Sequence, residues 1–191
     1  MHSAIVKRLL FGLLAIILFG CAPQDSTHPQ IDSAMSKLAS LPDLGPAPEL
    51  TNDIWLNVEA PLRLVDLRGK VVIIDMWTFG CINCQHVIPS LKDWHSKYAD
   101  QGLVIIGNHF PEFSYEADLA NVKEAVTRSG IEYAVAQDNE GETWQAYKNH
   151  YWPALYLIDK KGHIRYVHIG EGQYKETEKN IQALLAEEYS E

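Results

Sequence analysis

The chain has 191 residues, with 16 basic against 25 acidic side chains and a formal net charge of −9. Such an acidic balance argues against nucleic acid and anionic membrane surfaces as partners, because both are bound through clustered lysine and arginine. The length is enough for one domain with a substantial core. Three cysteines are too few for a disulfide scaffold.

The first twenty residues predict an export signal. Lys7 and Arg8 form a short positive region, and residues 9–19 are almost wholly apolar. This apolar run is shorter than the ~20 residues that span a bilayer, so it indicates a signal sequence rather than a membrane helix. The letters LFGC that end at Cys21 resemble a bacterial lipoprotein processing site. The resemblance implies lipidation of Cys21; the alternative is an ordinary signal peptide with a spare cysteine.

Three segments are predicted. Residues 1–20 form the signal peptide, residues 21–47 a flexible tether rich in Pro, Ser, Asp and Ala, and residues 48–191 the folded domain. Several acyl chains on Cys21 would hold the protein stably on a membrane, since one chain alone is marginal. The expected location is a membrane-anchored lipoprotein that faces the periplasm or extracytoplasmic space.

Strands and helices alternate along the domain. The first two strands, residues 54–58 and 62–65, are predicted to pair as an antiparallel hairpin. Short apolar runs between turn residues predict five further strands: residues 71–77, 103–107, 133–137, 154–158 and 163–169. Helical spacing of apolar side chains predicts four helices: residues 84–98, 116–129, 142–147 and 173–188. Pro89 is expected to bend or interrupt the first helix, and Gly130 to end the second. The order predicts an α/β fold with a central mixed sheet flanked by helices.

The motif Cys81-Ile82-Asn83-Cys84 lies where the strand at residues 71–77 gives way to a helix. A thiol at a helix N-terminus is favoured as the thiolate by the helix dipole and by unpaired backbone N–H groups. The second thiol lies one turn inside, from where it can attack a mixed disulfide on the first. The spacing predicts a redox dithiol, with Cys81 as nucleophile and Cys84 as resolving thiol.

Two other uses of this cysteine pair are a structural disulfide and half of a zinc site. Zinc needs four tetrahedrally placed ligands, and only His86 lies near in sequence. A c-type haem site needs histidine directly after the second cysteine, where this chain has Gln85. We therefore expect neither a metal nor another cofactor.

Three further stretches accompany the dithiol motif: LRGKVV from Leu67, PEF from Pro111 and YWPA from Tyr151. Together with WTFGCINC from Trp77, they resemble the exported thioredoxin-like thiol–disulfide oxidoreductases of the TlpA-like, or redoxin, family. They are also similar to the thioredoxin-like domain of DipZ-type proteins. The resemblance implies a thioredoxin-like fold with an N-terminal β extension, and dithiol catalysis of disulfide exchange.

The resemblance also implies roles for residues outside the dithiol. Asp75 would be a buried acid that takes the proton of the resolving thiol; the alternative is a capped or solvated aspartate at a strand end. Pro153, expected in the cis form, would face the dithiol. Trp77, Trp152 and Glu112 would contact substrate, with Glu112 a candidate second proton carrier. An ordinary core position is the alternative for Trp77.

The chain departs from the family pattern beside the cysteines. Gly80 stands where the family usually has Trp, and Ile82-Asn83 replaces the usual Gly-Pro dipeptide. The absence of a basic residue between the cysteines favours a reducing protein. His86 and His109 are further candidates for the site, although an ordinary surface or core position would explain either histidine.

These patterns predict a cell-envelope oxidoreductase that reduces disulfides in exported client proteins and is re-reduced by a membrane thiol donor. Two alternatives remain open. A peroxiredoxin-like peroxidase is suggested by Thr78, three residues before Cys81. A copper chaperone would use both cysteines and a distant histidine such as His109.

Overall fold

The computed structural model describes residues 41–190. The predicted signal peptide, Cys21 and most of the predicted tether lie outside the described residues. The strands are β1 (Ile54–Leu56), β2 (Val71–Trp77), β3 (Leu103–His109), β4 (Ala134–Gln137), β5 (Ala154–Ile158) and β6 (Ile164–Ile169). The helices are α1 (Ile82–Tyr98), α2 (Leu119–Ser129), α3 (Glu142–Ala146) and α4 (Tyr174–Ala186). Short 3₁₀ turns cover Leu64–Leu67, Ala99–Gln101 and Ser114–Ala117.

Within residues 41–190, six strands form one mixed sheet in the order β1-β4-β3-β2-β5-β6. The central strands β2, β3 and β4 are parallel, while β5, β6 and β1 run antiparallel to their neighbours. β2 has partners on both sides and all seven of its residues are buried, as expected for a continuous run of β-branched and apolar side chains. The predicted mixed sheet with flanking helices is confirmed.

Side chains alternate across β2 and supply two cores. One core joins Ile73 and Trp77 to side chains of three helices: Leu91 of α1, Val122 of α2 and Ile181 of α4. The other joins Ile74 and Met76 to Trp144 of α3 and to the N-terminal residues Leu50 and Leu64. The sheet is therefore covered on both faces, and β2 ends directly below the CxxC motif.

The predicted hairpin between residues 54–58 and 62–65 is wrong. β1 pairs instead with β4, and Asn57 at φ 63° turns the chain away immediately after the strand. The backbone N–H groups of Leu64 and Val65 donate to the Glu49 carboxylate at 2.6 and 3.0 Å, so they do not enter a ladder. The second segment consequently forms a 3₁₀ turn.

One helix boundary also needs correction. The helix expected from residue 116 begins at Leu119, because Asp118 caps it by accepting from the Ala120 N–H at 2.7 Å. Helix α1 continues through Pro89 without interruption, since a proline removes one intrahelical hydrogen bond and the remaining turns are packed against the sheet. Gly130, at φ 60°, ends α2 as expected.

Residues 41–47, which the sequence places in the tether, lie against the edge strand β6. The Leu44 N–H donates to the Ile164 carbonyl at 2.9 Å, and the Ala47 N–H to the Gly162 carbonyl at 2.9 Å. Pro46 and His163 form an isolated antiparallel bridge. This segment covers part of an otherwise open edge. No helix within residues 41–190 is long and apolar enough to cross a membrane.

Candidate active site

Cys81 and Cys84 are both free thiols at the start of α1, but they differ in exposure. Cys81 is the N-cap residue, and its Sγ accepts a hydrogen bond from the Cys84 N–H at 3.2 Å. Cys81 is half-buried, whereas Cys84 is only 2 % exposed. Burial, and next the charge of Asp75, raise the pKa of Cys84. Cys84 therefore stays protonated until a base removes its proton, as a resolving thiol should.

Asp75 lies in β2, on the sheet face that α1 covers. The side chain is buried, and its Oδ1 atom has no hydrogen-bond partner among the described residues. Burial raises the pKa of Asp75 to about 8. A carboxyl group that titrates close to ambient pH can both take and return a proton, which is the property that the predicted base needs.

Glu116, rather than Glu112, is the buried carboxylate next to the dithiol. Glu112 is exposed, and only its backbone N–H contacts the Glu116 carboxylate, at 2.7 Å. Glu116 is 0 % exposed and also accepts from the N–H groups of Phe113 at 3.0 Å and Gly80 at 3.0 Å. The carboxylate thus ties the PEF loop to the residue immediately before Cys81. A charged acceptor for three backbone amides is strongly held.

The comparisons with known proteins agree with this geometry. A model of the AhpC/TSA family matches residues 45–167. The chain belongs to the AhpC/TSA family. Protein DipZ of Mycobacterium tuberculosis (strain CDC 1551 / Oshkosh) is 42% identical over 164 residues, covering 84% of this chain and 24% of DipZ. The chain thus spans about a quarter of the length of that relative.

Within the AhpC/TSA family the chain is of the thioredoxin-like, thiol–disulfide oxidoreductase type. The thiol-disulfide oxidoreductase YkuV of Bacillus subtilis (strain 168) is 31% identical over 143 residues, covering 74% of this chain and 95% of YkuV. A crystal structure of a thiol-disulfide isomerase from Corynebacterium glutamicum has a TM-score of 0.65 and 29% identity, covering 74% of this chain and 98% of that one. The crystal structure of a thioredoxin-like superfamily protein, SPOA0173, has a TM-score of 0.71 and 29% identity, covering 76% of this chain and 99% of that one. The thioredoxin-like fold and the family resemblance drawn from the sequence are both confirmed.

The aromatic candidates of this AhpC/TSA member have different positions. Trp77 is 1 % exposed and packs edge-on against His109, so it lies beneath the site and not on a substrate-contacting surface. Trp152 is half-buried, stacks on Phe110 with ring centroids 5.8 Å apart, and donates from Nε1 to the Phe110 carbonyl at 3.2 Å. The Trp152–Pro153 peptide bond is cis, as the resemblance implies. Trp152 thus keeps its place as the aromatic candidate for substrate contact.

The two histidines are engaged elsewhere. His109 is fully buried at the end of β3, where its Nε2 lies 3.3 Å from the Thr78 hydroxyl and accepts from the Phe79 N–H at 3.4 Å. Burial lowers the pKa of His109 to about 4, which keeps the ring neutral. Exposed His86 pairs with Glu171 at 2.6 Å on the surface. Neither peroxide chemistry through Thr78 nor copper binding through His109 gains support from this arrangement.

Within residues 41–190 no group of three or more His, Cys, Asp or Glu side chains is placed to hold a metal ion. The site brings together the two thiols and the carboxyl group of Asp75. Sequence reasoning missed Glu116. A glutamate three residues after the start of a turn is a known capping signal, and in the segment from Phe113 to Glu116 it was the available clue.

The hydrogen bond from the Gly80 N–H to the Glu116 carboxylate requires glycine at position 80. A Cβ atom on Gly80 would lie 2.1 Å from Glu116 Oε1 and 3.1 Å from the Tyr115 hydroxyl. We expect Gly80→Ala to displace the Glu116 carboxylate, to lower the free energy of unfolding by about 2 kcal/mol through its unpaired amides, and to slow disulfide reduction about tenfold by moving Cys81.

Urea denaturation and a turbidity assay of insulin reduction measure the two effects of Gly80→Ala. Gly45 provides the control without a clash, since a Cβ there meets nothing within 4 Å and only the cost of its own left-handed φ of 99° applies. Gly45→Ala should reduce insulin at the unmodified rate. A Gly80→Ala protein with normal stability and normal activity would contradict the proposed tie.

Proposed function

We propose that this protein reduces disulfide bonds of exported client proteins from a membrane-anchored position in the cell envelope. The observation that carries the proposal is the pairing of half-exposed Cys81 with protonated Cys84, one helical turn deeper and next to buried Asp75. Such a pair can donate two electrons to a disulfide and close into one itself. The family comparisons support the exchange chemistry, and the N-terminal sequence supports the location.

The reaction proceeds in two exchanges. The Cys81 thiolate attacks one sulfur of a client disulfide, forming a mixed disulfide and releasing the other client sulfur as a thiolate. Asp75 takes the proton of Cys84, and the Cys84 thiolate attacks Sγ of Cys81. The bond between Cys81 and the client breaks, and its electron pair leaves on the client sulfur, which takes a proton from solvent. The client is reduced by two electrons, and the Cys81–Cys84 pair is oxidised.

A thiol donor in the membrane must then return two electrons to the pair. The reducing direction is supported by the dipeptide Ile82-Asn83, which places no positive charge between the cysteines. A basic residue there would stabilise the thiolate, and a stabilised reduced form makes the disulfide a stronger oxidant.

The direction is testable in cells. Rapid acid quenching followed by alkylation with a maleimide-polyethylene glycol should find Cys81 and Cys84 mostly reduced at steady state. A pair that is mostly oxidised in cells with an intact donor would instead make the protein an oxidase and reverse the proposed direction.

The location is tested by fractionation. The unmodified protein should sediment with membranes, and Cys21→Ala should release it into the soluble envelope fraction or leave it unprocessed. Membrane attachment that is unchanged in Cys21→Ala would contradict the lipid anchor while leaving the thiol chemistry standing.

A further inference from the structure

A niche below the dithiol is formed around Gly107 of β3. Gly107 is the register partner of Asp75 on the neighbouring parallel strand. A Cβ atom on Gly107 would lie 2.8 Å from Trp77 Nε1 and 3.4 Å from Tyr133 Cε2. The glycine therefore leaves the space that the edges of the Trp77 and Tyr133 rings approach next to the register partner of Asp75. Trp77, Tyr133 and Cys84 belong to the same core.

Polar atoms around this niche lack partners. Asp75 Oδ1, Trp77 Nε1 and the Tyr133 hydroxyl are buried without a hydrogen bond to any described residue. Tyr133 is 2 % exposed, and burial followed by the charge of Asp75 raises its pKa. Unpaired buried polar groups each cost about 1–3 kcal/mol, so a cluster of them in one place indicates a function or a shared water molecule.

The outer side of the niche leads to the protein surface. Tyr133 and His95 of α1 lie 6.1 Å apart between ring centroids, with their planes at 70°. His95 Nδ1 is also buried without a partner among the described residues. Both side chains line a cavity of about 520 Å³ between α1 and the loop that precedes β4. The cavity opens to solvent on a different part of the molecule from Cys81.

The proposed function needs such an opening. Asp75 has to pass on the proton that it receives from Cys84 before the next cycle, and to regain one during re-reduction. At the moment of resolution the client is covalently attached to Cys81 and covers the thiol side. A proton route that does not cross the client interface lets the buried carboxyl group equilibrate with solvent during that step.

We propose that Tyr133 relays protons between Asp75 and the solvent-filled cavity lined by His95. The carboxyl proton of Asp75 passes to a water that bridges Asp75 Oδ1 and the Tyr133 hydroxyl, that water protonates the Tyr133 oxygen, and the hydroxyl proton leaves outward to the cavity water beside His95. Tyr133 gains one proton as it loses one, so it stays neutral throughout. The inference rests on the proposed reductase function and makes Tyr133 a positioning and relay residue.

The pH signature depends on the groups around the relay. Cys84 faces Asp75 from α1, while His109 and Glu116 lie on the β3 side. Lys92, Asp100 and Glu132 line the outer cavity, where solvent screens their charges. Since burial places the pKa of Asp75 near 8, the carboxyl group starts protonated below that pH and must lose a proton before it can act as a base. Well above that pH it starts ionised, and a single resolution step needs no outward transfer.

The test uses Tyr133→Phe in the purified full chain, reduced and mixed with the chromogenic disulfide dithiobis(nitrobenzoate). The first release of thionitrobenzoate reports attack by Cys81, and the second reports resolution by Cys84. We expect the second phase to be about tenfold slower at about pH 7 and unchanged at about pH 9.5. The first phase should be unchanged at both. The free energy of unfolding should be unchanged or higher, because an unpaired buried hydroxyl is removed.

Tyr147→Phe is the matched control. Tyr147 is another buried tyrosine with an unpaired hydroxyl, but it lies in the core on the opposite face of the sheet. The second phase of thionitrobenzoate release by Tyr147→Phe should match that of the unmodified protein at both pH values. His95→Leu, a partly exposed position, should reproduce the slowing at about pH 7 and decides the question if Tyr133→Phe does not fold.

Two results would overturn the relay. One is a Tyr133→Phe protein that resolves at the normal rate at about pH 7; the other is a loss of the same size at both pH values, which would indicate displaced thiols. In either case the proposed reductase function stands as long as the unmodified chain reduces disulfides. An unmodified chain with no reductase activity would refute the function itself.

Discussion

Cys84→Ala is expected to lower disulfide turnover at least about a thousandfold and to leave Cys81 joined to its client in a mixed disulfide. Without the resolving thiol, the first exchange still occurs and the second does not. Cys84 is the buried thiol that displaces the client from half-exposed Cys81. In the variant, the mixed disulfide on Cys81 has no thiol one helical turn deeper to attack it. Alanine fills most of the space of the buried thiol, so the fold should persist.

The adduct is detected on a non-reducing gel of envelope extracts and its partner identified by mass spectrometry. Cys81→Ala should lose turnover to the same extent but trap nothing, because the attacking thiol is missing. Cys21→Ala, which removes the remaining cysteine of the chain, should keep normal turnover in the purified protein. A disulfide adduct formed by Cys81→Ala would exchange the roles assigned to the two cysteines.

The positions of the buried strands along the chain were predictable because their sequences are unambiguous. Residues 71–77 are apolar throughout with one acid, and a strand in the middle of a mixed sheet needs that pattern on both faces. The strands at residues 154–158 and 163–169 followed from two apolar runs with a glycine-containing turn between them, and the structure pairs them as a hairpin. At these positions the local sequence pattern favours the same structure that packing in the sheet requires.

The predictions failed where a side chain distant in sequence determines the local structure. Nothing near residues 62–65 reveals that Glu49 takes their N–H groups. The position of Glu116, which the sequence analysis did not single out, is equally non-local, since it depends on Gly80 having no side chain. The family resemblance suggested Trp77 as a site aromatic, but strand alternation points it beneath the site. Spacing in the sequence locates a motif better than it locates the side chains that support it.

Asp75→Asn is expected to make the protein more stable and less active. The folded protein holds the pKa of Asp75 at about 8, against an ordinary value of 3.8. Between these two pH values the folded state binds a proton that the unfolded state has released, so stability falls as pH rises through this window. Below it both states are protonated and nothing is lost. Above it the full cost of a buried, unpaired carboxylate applies, at most about 6 kcal/mol.

Asparagine has nearly the same shape and never ionises. Relative to the unmodified protein, Asp75→Asn should have a similar free energy of unfolding at about pH 4 and gain on the order of 3 kcal/mol at about pH 9, after the cost of an unpaired amide. Urea denaturation of the reduced proteins measures the difference. Asp138→Asn should show the opposite sign, because that buried carboxylate accepts from Asn108, Thr143 and Trp144 and its replacement loses those bonds.

The same Asp75→Asn change should slow the second phase of the dithiobis(nitrobenzoate) reaction about a hundredfold at about pH 8, where a general base contributes most. Replacing an ordinary core residue would lower stability and activity together. Replacing a proton acceptor whose burial destabilises the fold should instead raise stability and lower activity. Equal stability of Asp75→Asn and the unmodified protein at both pH values would show that the carboxylate is solvated when ionised. A normal second phase would show that another base serves Cys84.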